Sequence, residues 1–323
     1  SEGRGRIVPF KSPDAMAEQI IDLLDNDVQR HTIRKKAYTF CRDATWKEVS
    51  RRYLEVFSEV KHNRSRHPRP RHLYIDHVKS ITKFALPEMK LDHLKTLTDD
   101  TGILQHATHT IPDRTHGYCT DDNARALLVA AMGRKYLPAD SMCLDSLGSQ
   151  YLGFLLYAFN DEKGRFRNFM TYARQWTEEV GSEDAHGRAL WGLGKSVAFL
   201  DNPGQLAMCT ALFNQGLKAV EHFASPRAIA FALVGIHAYL QKFSGDSEVR
   251  KVRQILADRL FNQFKSNASN DWPWLENTLN YANGKLSHAL LLSGQWMQHN
   301  DMIDMGLRSL EWLVSIQTED SHF

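Results

Sequence analysis

The sequence predicts a mainly α-helical protein, a ring or open arc of helical hairpins preceded by a short α/β segment. Three observations carry this. First, Thr120-Asp121-Asp122-Asn123-Ala124-Arg125-Ala126-Leu127 is echoed sixty-three residues later by Ser182-Glu183-Asp184-Ala185-His186-Gly187-Arg188-Ala189-Leu190-Trp191. Each copy sets an acidic pair before Arg-Ala-Leu, which opens an apolar helix. Second, helical periodicity predicts helices over 121–136, 140–159, 184–200, 204–223, 226–243, 246–265, 284–299 and 301–317. Breakers separate them at Leu137-Pro138, Asn202-Pro203-Gly204, Ser225-Pro226, Ser244-Gly245-Asp246 and Asn283-Gly284. Short links alternate with long ones, as in stacked hairpins. Third, Ala126-Leu127, Ala189-Leu190, Ala232-Leu233 and Ala289-Leu290 recur on alternate helices, amid small residues such as Gly192, Gly194, Gly235 and Gly294. Small side chains let such inner helices pack closely around an axis.

The elements before this array follow in order. Residues 1–60 form one unit. Arg6-Ile7-Val8-Pro9-Phe10 predicts a short strand ending at a turn. Ser12 is placed to cap a helix with Pro13 at its first position and Asp14 suiting its dipole. Ile20, Ile21, Leu23 and Leu24 give that helix an apolar face. A second helix is predicted over 27–40, and Thr45 opens a third carrying Trp46, Val49, Tyr53, Val56 and Phe57 at helical spacing. Residues 61–72 hold two prolines and five Lys or Arg, which predicts an extended, solvated linker. Residues 73–323 are the array. Four hairpins are visible, so the ring is incomplete or is an open arc.

Composition narrows the function. The chain has 323 residues, 42% hydrophobic and 24% charged, which suits a globular core. A net charge of +2 gives no general attraction to nucleic acid. The basic linker lacks the interleaved aromatics of a nucleic-acid arm. No apolar run is long enough for a membrane span, and residues 1–10 lack the apolar stretch of a secretory signal. Cys41, Cys119, Cys143 and Cys209 form no C-x-x-C and read as reduced thiols of a cytoplasmic protein, Cys143 and Cys209 in the core. Neither a phosphate loop nor a Gly-x-Ser-x-Gly elbow is present, and no cofactor is expected.

The chemistry-bearing residues lie in three long connections, 101–120, 164–182 and 270–283, each before a proposed inner helix. They should meet at one end of the array. Their aromatics and polar groups suit a saccharide, whose C–H faces stack on rings and whose hydroxyls take Asn, Asp, Arg and His. Asp122, Asp184 and Glu276 are the candidate catalytic carboxylates, because glycosidic cleavage needs a proton donor and a second carboxylate across a cleft. Asp121, His116, Tyr118, Arg167, Trp176, His186, Trp272, Trp274 and Tyr281 are the candidate substrate contacts. Plainer roles compete. Asp121 suits a helix cap, while Asp122 and Asp184 suit ion pairs with Arg125 and Arg188 on their own helices. Trp191 and Trp296 fit the core. His106, His109, His116 and Asp113 lack the spacing of a zinc site, so no metal is expected.

Two resemblances add to this reading. Gly5-Arg6-Ile7-Val8-Pro9-Phe10, the Ser12-Pro13-Asp14-Ala15 helix start, Ala37-Tyr38 and Thr45-Trp46 resemble the C-terminal end of a family 4 glycosyltransferase of GT-B architecture. The resemblance implies a missing N-terminal glycosyltransferase portion that holds the nucleotide-sugar site. Gly117-Tyr118-Cys119-Thr120-Asp121-Asp122, Glu183-Asp184-Ala185-His186 and Trp272-Pro273-Trp274-Leu275-Glu276 are similar to the (α/α)6 six-hairpin carbohydrate-active enzymes, which include hydrolases, lyases and epimerases. That resemblance implies sugar-binding or sugar-attacking acids at inner-helix starts, here Asp121, Asp122, Asp184 and Glu276. The expected function is processing of an oligosaccharide by carboxylate acid–base chemistry. A histidine-driven sugar epimerase is its close variant. A non-catalytic glycan-binding domain and a protein-interaction solenoid are the alternatives.

Overall fold

The computed structural model describes residues 3–66 and 89–318. The protein is mainly helical and divides into two compact units, Ser1–Pro87 and Glu88–Phe323.

In the first unit, α1 (Pro13–Asp25), α2 (Asp27–Cys41) and α3 (Trp46–Arg66) form as their periodicity predicts. Asn26 accepts from the Gln29 N–H at 3.0 Å and so caps α2, whereas the Ser12 side chain makes no cap bond. Two expectations fail. Arg6–Phe10 is not a strand, because an isolated segment has no ladder partner; Arg6 instead reaches Asp22 at 3.0 Å. The start of the expected linker, 61–66, is helical and completes α3, while 67–72 lie outside the described residues. Ile20, Ile21, Leu24, Tyr38, Phe40, Trp46 and Phe57 all remain exposed.

The second unit is a two-layered helical array. It opens with α4 (Asp92–Leu97) and then alternates inner and outer helices. The inner layer is α5 (Thr120–Tyr136), α7 (Glu183–Phe199), α9 (Pro226–Lys242) and α11 (Asn283–Met297), each packed on the next. The outer helices α6 (Ser141–Ala158), α8 (Pro203–Leu217), α10 (Ser247–Asn267) and α12 (Asn300–Gln317) each pair with the inner helix before them. All eight expected helices are present, α8 ending at Leu217 before a short 3-10 turn, Val220–His222.

Glycine sets the spacing of the inner layer. A Cβ on Gly192 would stand 2.4 Å from the Ala124 carbonyl oxygen, and one on Gly194 would stand 2.2 Å from that of Gly235. A Cβ on Gly187 would stand 2.6 Å from the Ala228 carbonyl oxygen. Backbones of α5, α7 and α9 therefore touch directly. Helix starts are capped by Ser182, Ser225 and Asp246 side chains, which accept from Ala185, Ala228 and Val249 N–H groups.

The 101–120 connection is a hairpin rather than a loop. β1 (Leu104–Thr108) pairs antiparallel with β2 (Ile111–Cys119), whose other edge takes β5 (Phe169–Met170). β3 (Phe159–Asn160) and β4 (Arg165–Phe166) form a second small ladder. Pro112, Asp113 and Gly117 hide the strand signal in the sequence. Gly117, at φ +65°, is where β2 crosses closest to β5, since a Cβ there would lie 2.2 Å from the Met170 carbonyl oxygen.

Candidate functional site

The helix starts bring acids and arginines together at one end of the inner layer. Cys119, not Asp121, caps α5 by accepting from the Asp122 N–H. This leaves both carboxylates of the first turn to pair with Arg125, Asp121 at 2.9 Å and Asp122 through its Oδ1. Asp122 Oδ2 accepts from the Cys119 thiol at 3.0 Å. On α7, Asp184 Oδ2 pairs with Arg188 Nε at 2.7 Å, and Arg188 Nη1 lies 3.6 Å from Asp121. The Tyr281 hydroxyl donates to Asp184 Oδ1 at 3.1 Å. Segments far apart in sequence thus meet at Arg188, whose guanidinium also lies over Phe231, 4.4 Å from the ring centre.

A second arginine fastens the 270–283 segment. Arg227 on α9 is almost wholly buried and holds Glu276 Oε1 at 2.7 Å and Asn283 Oδ1 at 3.0 Å, while its Nε donates to the Tyr281 carbonyl. Glu276 Oε2 is buried without a hydrogen-bond partner among the described residues. Glu183 is also committed, accepting from the Ala224 and Ser225 N–H groups at 2.9 and 2.7 Å. Every carboxylate expected to do chemistry, Asp122, Asp184 and Glu276, therefore has an oxygen on an arginine. Asp121 differs: burial pushes its carboxyl upward from the usual range, against the pull of Arg188 and Arg125.

Several expected substrate contacts sit elsewhere. His186 is fully buried between Phe166 and Phe223; one ring nitrogen lies 2.8 Å from the Gly216 carbonyl and the other accepts from the Phe166 N–H. Burial drives it down to about 3, so it is a neutral core histidine and not a substrate contact. Trp274 is likewise buried, against Phe264 and Trp312, and cannot serve as a platform. Trp272 is partly open but braces its own loop, donating from Nε1 to the Glu276 carbonyl at 2.7 Å. Tyr118 is buried and donates to Asp99 at 2.6 Å. Arg167 and Trp176 face each other, the indole packed on Phe154 and Tyr157 of α6. His116 is exposed on the hairpin, edge-on to His106. Arg167 also pairs with Glu179 at 3.3 Å, and none of these last three has a contact with Arg188 among the described residues.

Sequence reasoning passed over the face of the inner layer below the helix starts. Trp191, expected in the core, is half-open, stacked on Phe231 with the Lys285 ammonium 4.0 Å from its ring centre. Lys195 lies one turn further along α7. His237 on α9 and His288 on α11 complete the group. Burial lowers all four of Lys195, Lys285, His237 and His288, and mutual repulsion lowers the last three further. His237 falls to about 4 under burial, Lys195, His288 and Arg253. The spacing Asp184, Arg188, Trp191, Lys195 was the available signal: a polar stripe on a helix that is otherwise apolar. Trp296, also expected in the core, is partly exposed beneath the His237 ring. Two grooves lie elsewhere, one lined by Lys218, Asp246 and Val249, the other by Gln150, Tyr157 and Arg174, and neither gathers comparable chemistry.

A scan against protein-family models finds no match, and a search of curated proteins finds none. Among solved structures the chain is similar to a sugar epimerase from a ruminal bacterium, with a TM-score of 0.56 over 69% of this chain and 68% of that one. Sequence identity is 12%, so the likeness is one of fold.

Proposed function

We propose that the helical unit acts on a saccharide held against the inner face, by proton transfer of the isomerase or epimerase kind. The observation that carries this is the pair of half-buried imidazoles, His237 and His288, which share Lys195 as a charged neighbour, with Lys285 linking His288 to the partly exposed indole of Trp191. Burial and surrounding cations favour the neutral ring in both; a neutral imidazole can take the proton next to a sugar carbonyl, and the imidazolium so formed can return it to either face of the resulting enediol. Trp191 offers a platform for a sugar ring. Asp121, paired with Arg125 at 2.9 Å, lies with Asp122 and Asp184 at the helix starts. The shared fold with a sugar epimerase supports the same class. In this reading Asp122, Asp184, Glu276 and Tyr281 bind sugar hydroxyls from within their arginine pairs. His116, Arg167 and Trp176 are candidates for an outer subsite. The four inner helices form an arc of an (α/α) toroid around the sugar.

For residues 1–60 we propose the closing segment of a GT-B glycosyltransferase. The apolar residues that α1 to α3 leave exposed, Ile20, Ile21, Leu24, Tyr38 and Phe57 among them, are consistent with a segment that packs on a larger domain.

The test is NMR of aldoses and disaccharides incubated with the protein in deuterated water. Deuterium should enter at the carbon next to the carbonyl, and His288→Gln should abolish its entry while sugar binding persists. One observation favours a purely binding domain: Asp122, Asp184 and Glu276 are all tied to arginine. Binding with no exchange in any sugar would establish that second reading and remove the first.

A further inference from the structure

The inner face changes character with depth. At the helix starts, Asp121, Asp122, Asp184 and Glu276 balance Arg125, Arg188 and Arg227. Further along the helices the acids stop. Lys285 has an indole for its neighbour and no carboxylate partner among the described residues. The charges acting on Lys285 are Lys195 and Arg188, and those acting on His288 are Lys285 and Lys195. Deeper still, Arg253 of α10 lies over Trp296 at 5.3 Å, next to His237. Its side chain is more than nine-tenths buried, yet its Nε and one Nη have no hydrogen-bond partner among the described residues. The buried Nδ1 of His237 is unpartnered as well.

Such an arrangement is costly. An unpaired buried cation loses hydration without compensation, and like charges at close range repel. The whole chain carries only +2, so the strip is not a by-product of a basic protein. A face lined with one sign of charge concentrates the opposite sign. Guanidinium and ammonium groups are the donors that take phosphate, sulfate and carboxylate oxygens.

We propose that the saccharide of this site is anionic, its phosphate, sulfate or carboxylate group seated on the strip formed by Lys195, Lys285 and Arg253. This rests on the reading of the inner face as a saccharide site and names the class of saccharide. Trp191 stacks the sugar ring, and the cations beyond it neutralise the substituent.

The experiment is a glycan array carrying neutral, uronate, sulfated and phosphorylated saccharides, probed with the full chain. Binding is expected on charged glycans alone, and the array identifies which anion is taken. Raising the salt should weaken it about tenfold or more, and Lys195→Gln and Lys285→Gln should each abolish it. Thermal melting guards against misfolding: Lys195→Met relieves repulsion and should raise the midpoint, where a lysine with a purely structural role would lower it. Binding of neutral glycans as strong as of charged ones, or a bare array, overturns the proposal. Charged glycans that bind without hydrogen exchange leave this inference standing and remove the epimerase reading. Exchange confined to neutral sugars does the reverse.

Discussion

At the scale of the residue, His186 makes a pH dependence measurable. Its ring is held to about 3 by burial, against the ordinary imidazole value of about 6.5. Between those values the unfolded chain binds a proton that the folded chain refuses. Stability is therefore whole above about pH 6.5 and is lost as the pH falls toward 3. The loss between pH 6.5 and 5 should be about 2 kcal/mol from this group, read from urea midpoints, with His237 steepening the same slope. An NMR titration showing the His186 ring protonating near its ordinary value would defeat the account. The residue-level reading of the sequence succeeded where partners are local: Asp122 with Arg125, and Asp184 with Arg188, follow from helical spacing. It did not reach the partners of His186 and Glu276, Gly216 and Arg227, which lie 30 and 49 positions away. A histidine in an acidic helix start looks like a ligand contact until the two phenylalanines that enclose it are seen.

At the scale of the element, the contacts between inner helices predict opposite signs for two glycine substitutions. Gly194→Ala drives a methyl into the Gly235 backbone, and should cost roughly 1–3 kcal/mol or more. Gly284→Ala, in the first turn of α11 with nothing within 4 Å, should instead gain up to about 1 kcal/mol from helix propensity. Chemical denaturation of both variants checks the pair, and two losses of equal size would rule out backbone contact as the cause. Helices were legible because their periodicity and their Pro and Gly breakers are local signals. The hairpin over 104–119 was not, because its strands hold few β-branched residues and gain their stability from each other, from β5 and from the buried Tyr118 ring. Lys195, Lys285 and Arg253 escaped notice for a related reason. A lone cation on a helix is ordinary, and only the packing of α7, α9, α10 and α11 reveals that Lys195 and Arg253 both neighbour His237 while Lys285 neighbours Lys195.

At the scale of the molecule, the burial of side chains is uneven. Every buried hydrophobic among the described residues lies between Leu91 and Leu313, and α1 and α2 have none. The second unit therefore carries its own core and should fold alone: a fragment of residues 88–323 should melt cooperatively within a few degrees of the intact chain by calorimetry. A broad or much lower transition would mean that the first unit supplies stability to the second. The sequence divides the chain by a linker over 61–72, of which 67–72 lie outside the described residues, and the second unit begins at Glu88. One consequence of the glycine contacts reaches beyond stability. Where main chains abut, the width between helices is fixed by covalent geometry, and no choice of rotamer can widen it. Were the proposed saccharide site to take a bulkier guest, the room would have to come from the connections and side chains around it, with Gly187, Gly192, Gly194 and Gly235 left in place.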